Sequence, residues 1–240
     1  MPVKKRHIFT LITALFISCG AFSEYISISG SDGSYDIHAG NLAGILGGTN
    51  NQFSLSDLDI LAATLNDDGI DTEGKLSFLV ASTDAGLSFI GLFDGIANNN
   101  PWGSVPDQFL GLSTTTSIGT DWFATGDTGS ESWWYDMGNG TQMVNSMLGW
   151  DHGQTSAGFA WGDVQQAQAG TMNLYDIDLT QFAPEPIQFI TFQDDHWGVA
   201  GTADFSVLGQ YAFSYQFIPA PGAIALLTIA GLSGRCRRRK

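Results

Sequence analysis

Between its two ends this chain is a succession of short apolar or alternating runs, each closed by Gly, Asn, Asp, Ser or Thr. Runs of four to eight residues punctuated by turn formers are the pattern of β-strands, and they leave no room for a long amphipathic helix. Tyr25-Ile26-Ser27-Ile28-Ser29 alternates cleanly, while Lys75–Ala81 and Leu87–Phe93 are nearly continuous apolar runs joined across Thr83-Asp84-Ala85-Gly86, which predicts a hairpin. Further strands are expected at Asp121–Ala124, Gln142–Val144, Gly158–Trp161, Asn173–Leu179, Ile187–Phe192, Asp204–Leu208 and Tyr211–Phe217. With no βαβ rhythm, the expected fold is all-β: a single-domain β-sandwich or jelly-roll-like body.

One short helix interrupts this pattern. Ser54 to Leu65 places Leu58, Leu61 and Leu65 at helical spacing, with Ser56 as the expected N-cap and Asn66-Asp67-Asp68-Gly69 as the stop.

Charge is distributed unevenly. Of nine Lys and Arg residues only Lys75 lies in the body, residues 24–217, whereas all 24 Asp and Glu lie there, a formal charge of −23 against −15 for the whole chain. Such a surface repels phosphate backbones and anionic lipid, so no nucleic-acid partner is expected. The two cysteines, Cys19 and Cys236, stand in the end segments. The body therefore holds no disulfide, no thiol nucleophile and no cysteine zinc cluster.

The ends have a different character. Lys4, Lys5 and Arg6 precede an apolar run from Ile8 to Ser18, and Ala21-Phe22-Ser23 offers small residues for signal-peptidase cleavage. This is the arrangement of a secretory signal peptide over residues 1–23. The run falls short of the ~20 residues that span a bilayer, against an uncleaved anchor. A lipoprotein signal at Cys19 is the other alternative, and Phe16 fits it poorly. At the far end, Pro219-Ala220-Pro221 precedes the uncharged stretch Gly222–Gly234, and Arg235, Arg237, Arg238 and Arg239 lie in the closing basic cluster. The stretch is too short for a comfortable transmembrane helix, and the cations favour the cytoplasmic side.

A Pro-x-Pro, a short apolar segment and a terminal Arg cluster, in that order, resemble the PEP-CTERM sorting signal of Gram-negative, biofilm-forming bacteria. The resemblance is confined to residues 218–240 and departs from the pattern at Ala220, where the family has Glu, and at Cys236 among the arginines. It implies recognition by an exosortase-type transpeptidase after signal-peptidase processing, with transient inner-membrane anchoring through the tail. It further implies delivery to the cell surface or extracellular matrix. An ordinary short tail anchor is the alternative. Pro184-Glu185-Pro186 spells the family tripeptide literally, but the alternating Ile187–Phe192 and two aspartates follow it, so it is read as the start of a strand.

Three groups in the body carry candidate chemistry. Asp67, Asp68, Asp71 and Glu73 form the densest acidic cluster and are the candidate metal site, since calcium takes carboxylate and carbonyl oxygens. With Gly69 aligned to the obligatory glycine of an EF-hand loop, Lys75 occupies the place of the bidentate Glu, so an ordinary Asp/Asn turn is the favoured reading and no cofactor is expected. Asp194-Asp195-His196-Trp197 and Asp151-His152 gather carboxylates and imidazoles in expected loops. Trp133-Trp134-Tyr135 is the candidate glycan-binding group: neighbours in a strand point to opposite faces, so at least one ring can meet solvent and stack on a sugar. Most tryptophans of a β domain nevertheless pack in its core. Glu131 and Asp136 flank this group without matching a hydrolase signature, and no nucleophile elbow, Walker loop or His-Glu-x-x-His occurs. The expected function is a non-enzymatic exported surface or matrix protein associated with exopolysaccharide. The alternative is a secreted carbohydrate-binding module or carbohydrate-active enzyme on the same fold.

Overall fold

In the computed structural model, which describes residues 24–46, 53–94, 108–117, 121–125, 130–150, 156–164, 168–175, 185–206 and 208–219, the short runs pair into two seven-stranded sheets. In chain order the strands are β1 Tyr25–Gly30, β2 Gly33–His38, β3 Gly40–Asn41, β4 Lys75–Thr83, β5 Gly86–Asp94, β6 Gln108–Ser117 and β7 Asp121–Thr125. They continue as β8 Glu131–Asp136, β9 Thr141–Trp150, β10 Ala157–Gly162, β11 Ala169–Tyr175, β12 Ile187–Gln193, β13 His196–Ala203 and β14 Tyr211–Ile218. One helix, α1, spans Leu55–Asp67. The first sheet runs β2-β1-β14-β11-β6-β9-β8 and the second β13-β12-β4-β5-β10-β7, with β3 paired to the end of β4. The fold is an all-β sandwich, not a closed barrel.

Alternation in the first sheet sends one set of side chains inward. Ile26 and Ile28 of β1, Phe213, Tyr215 and Phe217 of β14, Met172 and Leu174 of β11, Leu110 and Leu112 of β6, and Val144 and Leu148 of β9 are all buried. They meet Leu76, Phe78, Val80, Phe89, Phe93, Phe159 and Trp161 from the second sheet. Phe78 sits at the centre of an aromatic cluster, with Phe89, Phe159, Phe189 and Phe213 at ring-centroid distances of 5.4–6.2 Å. Offset and edge-on packing of this kind adds to the stabilisation from burial alone. The other face of the first sheet meets solvent, and it is called the open sheet below.

The second sheet is covered on both faces, which explains its nearly continuous apolar strands. Its outer residues Leu79, Ala81, Ile90, Leu92, Ala160 and Ile190 form a second core with Leu58, Leu61 and Leu65 of α1 and with Leu42, Ile45, Leu46 and Phe53. Gly158 permits this docking, because a Cβ there would stand 2.6 Å from both the Gly91 carbonyl oxygen and Leu58 Cδ2. A capping box fixes the start of α1. Asp57 N donates to Ser54 Oγ at 3.4 Å while Ser54 N donates to Asp57 Oδ2 at 2.8 Å. The N-cap is thus Ser54 and not the expected Ser56: both serines stand three residues before an aspartate, and the reciprocal pair that forms is Ser54 with Asp57.

Two further expectations are corrected. Asp204–Leu208 is not a strand: Asp204–Ser206 is irregular and Leu208 lies in a turn. Ser206 Oγ accepts from Leu208 N and Gln210 N, and Gly209 takes φ 68°, so local side-chain bonding and a left-handed glycine win over the apolar pattern. Asp194-Asp195 is not an open loop but the two-residue turn of the β12–β13 hairpin, with φ 53° and 63°, the double left-handed turn that matches strand twist. The strand continues at His196 and Trp197, and Trp197 is buried against the second core. Strand β12 follows Glu185-Pro186 directly, in keeping with the strand reading of that tripeptide, and Pro186 O accepts from Leu76 N at 2.7 Å.

Residues 1–23, the sorting residues Ala220, Pro221, Arg235, Arg237, Arg238 and Arg239, the pair Asp151-His152 and Asp176–Leu179 lie outside the described residues. Pro219 is described and directly follows β14. Among the described residues no helix is long and apolar enough to cross a membrane.

Candidate functional site

Among the described residues, strand β8 forms one edge of the open sheet and pairs only with β9. In the register of that antiparallel pair Trp133 lies opposite Asn145, Trp134 opposite the buried Val144, and Tyr135 opposite Met143. Trp133 and Tyr135 therefore belong to the outer face, and Trp134 to the side that carries the core. All three are nonetheless exposed, at 42%, 50% and 53%, and Met137 beyond them at 52%. Trp134 escapes burial because the covered sheet ends at β7, which packs against β9, so β8 overhangs by one strand. Among the described residues, rings thus stand on both sides of this sheet edge.

This edge is braced from behind. Trp122 of β7 donates through Nε1 to Ser146 Oγ at 2.8 Å, and Ser146 shares a 2.7 Å hydrogen bond with Ser132 Oγ of β8. Trp122 itself stacks on Phe159 at 4.8 Å, interplanar angle 7°. The bond chain crosses from the covered sheet to the open one and ends one residue from Trp133, which ties the position of the aromatic strand to the core. Gly138 N donates to Asp136 Oδ1 at 2.7 Å and closes the turn into β9.

Five tryptophans have described side chains. Trp122, Trp161 and Trp197 are buried, and Trp133 and Trp134 are exposed. The flanking acids do not form a catalytic pair. Glu131 and Asp136 are five residues apart on one strand, about 17 Å, and they fall on opposite faces. A glycosidase pair is about 5–10 Å apart and faces a common substrate.

The candidate metal residues diverge. Asp67 is the last residue of α1 and Asp68 its C-cap. Asp68 Oδ2 accepts from the backbone N of Trp197 at 2.7 Å and so joins α1 to β13. Asp71 Oδ1 accepts from Glu73 N at 3.1 Å, and its Oδ2 lies 3.4 Å from Lys75 Nζ. Glu73 makes a backbone bridge to Asp94. Asp68 and Asp71 thus bind locally, and among the described residues no group of three or more His, Cys, Asp or Glu is placed to hold a metal ion. Similarly, Asp194 and Asp195 are turn residues, and the His196 ring nitrogen Nδ1 lies 3.1 Å from Asp194 O.

Two buried phenols behind the open sheet are perturbed. Burial pushes Tyr215 up to about 12, opposed by its hydrogen bond with Thr114, while its hydroxyl donates to Thr115 O at 2.7 Å. Burial also pushes Tyr211 up to about 12, with the Asp32 carboxylate adding to the effect. Both are structural groups of the sandwich interior. The aromatic edge is therefore the feature of the described residues best arranged to meet a ligand. No protein-family model, no curated protein and no solved structure matches this chain.

Proposed function

We propose that this chain is an exported cell-surface or extracellular-matrix protein that associates with exopolysaccharide through the aromatic edge of its open sheet, without catalysing a reaction. The observation that carries the reading is the exposure of Trp133, Trp134 and Tyr135 on both sides of one edge strand. Aromatic faces bordered by polar groups suit the apolar faces and hydroxyl rims of sugars. Charge supports an uncharged ligand: a body of formal charge −23 over residues 24–217 repels a carboxylated polymer and not a neutral one.

The route of delivery follows from the ends: a signal peptide removed by signal peptidase, and a Pro219-Ala220-Pro221 tail with its arginine cluster handed to an exosortase-type transpeptidase. Replacement of Arg237, Arg238 and Arg239 is expected to leave the protein mislocalised in the producing cell, read by fractionation. Mass spectrometry of the surface protein is expected to find a C-terminus upstream of the arginines; a mature chain retained through Lys240 contradicts the route.

Binding is tested by affinity electrophoresis in gels containing the exopolysaccharide of the producing cell. Paired Trp133→Ala and Trp134→Ala substitutions are expected to weaken retardation by about thirtyfold, the loss of roughly 2 kcal/mol that truncated aromatic anchors show. Equal retardation of the variant and the parent contradicts the reading.

A further inference from the structure

The central strands of the open sheet, β1, β14, β11, β6 and β9, contain no Asp, Glu, Lys, Arg or His, in a chain with 24 acidic residues. In the covered sheet, burial on both faces confines Lys75, Asp94, Asp121 and His196 to strand ends. It does not explain the outer face of the open sheet. Thr171, Asn173, Thr115, Ser29, Ser214 and Gln216 are exposed there. Strand propensity does not explain it either, because Asn is disfavoured in strands as Asp is, yet Asn145 and Asn173 are present and no Asp is. The acids have been kept to turns, strand ends and the two flanking strands: Asp36 on β2, Glu131 and Asp136 on β8.

What remains is an uncharged surface, with hydroxyl and amide groups over β1, β14, β11 and β6 and with Met143 and Met147 beside Asn145 on β9. Thr171, Ser214 and Asn145 make no side-chain hydrogen bond within the described residues and have their donors and acceptors free for a ligand. Two shallow depressions open along β11 and β14. One, about 280 Å³, is lined by Ser27, Ser29, Ser214 and Gln216, and the other, about 480 Å³, by Asn173, Gln210 and Ala212. The surface runs without a charged side chain up to β9 and then meets Trp133 and Tyr135, which share its face on β8. From β1 to β8 the distance across the strands is about 24 Å.

We infer that the outer face of the open sheet is a track for an uncharged polysaccharide, which lies across β1, β14, β11, β6 and β9 and ends on the rings of Trp133 and Tyr135. The inference rests on the glycan reading of the aromatic edge and names its ligand class and path. A carboxylated polymer is excluded by the acidic turns around the face and has no cation on it to meet. A second copy of the chain is disfavoured, because the centre of the face, at Thr171, Ser214 and Thr115, is hydroxyl-lined and lacks the apolar core of a stable dimer interface.

The test is native affinity electrophoresis of the full chain in gels with neutral polymers (hydroxyethylcellulose, xylan or dextran) or with alginate, which is carboxylated. The parent is expected to be retarded by at least one neutral polymer and not by alginate. The Thr171→Glu, Ser214→Glu double variant, placed on exposed mid-face positions, is expected to lose at least tenfold in affinity while it stays folded at the assay temperature, with a melting temperature slightly lowered because the two carboxylates stand directly opposite on β11 and β14. If Trp133→Ala, Trp134→Ala abolishes retardation and the double Glu variant does not, the ligand is held at the edge alone; the track is then wrong and the edge reading stands. Equal retardation by alginate overturns the neutral specificity. No retardation by any neutral polymer overturns the track and the edge reading together. Sedimentation that shows a dimer dissociated by the two Glu substitutions assigns the face to self-association and also overturns the track. A double Glu variant that melts early is replaced by Thr171→Gln, Ser214→Gln, which adds bulk without charge and carries the same expected loss.

Discussion

The two sheets have the same number of strands and opposite surroundings. The covered sheet packs against the open sheet on one side and against α1 with its neighbouring loop on the other, so β10 is buried along its full length. The open sheet has one packed face, and β14 alternates buried and exposed residues from end to end. One pattern follows from the need to satisfy two apolar layers, the other from the need to satisfy one. Among the described residues the difference leaves the open sheet with the broad solvent-facing surface, whereas the covered sheet is packed on both sides.

The comparison is broken most sharply by emptying one layer of the covered sheet. Leu61→Ala removes a fully buried side chain from between α1 and the sheet, and is expected to cost about 2–5 kcal/mol. The mirror substitution on the open sheet, Thr171→Ala, is expected to fall within about 0.5 kcal/mol of the parent. Chemical denaturation of both reads the contrast directly, and equal losses would mean that the outer face of the open sheet is not free. Gly158→Ala comes next. Its Cβ would press on the Gly91 carbonyl as well as on Leu58, and backbone cannot yield as a side-chain tip can, so an overpacking cost of about 1–3 kcal/mol is expected. Ser54→Ala removes the helix cap and is expected to cost about 1 kcal/mol by the same measurement, without effect on polysaccharide binding.

Alkaline pH probes the open sheet's inner face. A phenol whose folded pKa lies at about 12, above its ordinary 10, holds its proton more tightly in the folded protein. Its contribution is whole below pH 10 and is lost as the pH rises toward 12. Stability of the parent is therefore expected to fall across that window. Tyr215→Phe is expected to flatten part of the fall while leaving the slope below pH 10 unchanged; an identical slope from pH 10 to 12 would exclude Tyr215 as a source.

Much of the covered sheet was legible in the sequence, since Lys75–Ala81 and Leu87–Phe93 are apolar almost without interruption and their hairpin forms across the expected turn. The helix was legible in its spacing, though its cap was misplaced by two residues because the reciprocal Ser54–Asp57 pair was overlooked. Strand β6 was missed. Its inner face passes from Leu110 and Leu112 to Thr114 and Thr116, so the alternation loses its apolar half where the buried Thr114 hydroxyl pairs with Tyr215. Strand β13 was hidden by glycines and by a turn of two aspartates in place of the familiar Asn-Gly. The exposure of Trp133 was foreseeable from alternation on a strand. That of Trp134 was not, because it depends on the covered sheet stopping one strand short, a tertiary fact that no local pattern carries.

Hydroxyl-radical footprinting of the full chain, with and without a bound neutral polysaccharide, tests most directly the claim that the open sheet alone meets the ligand. The account predicts protection at Trp133, Tyr135, Met143 and Met147, which share one face, with no change at Ile60 on α1. Protection on the α1 side, or no protection at Trp133 and Tyr135 when polymer is bound, would contradict it.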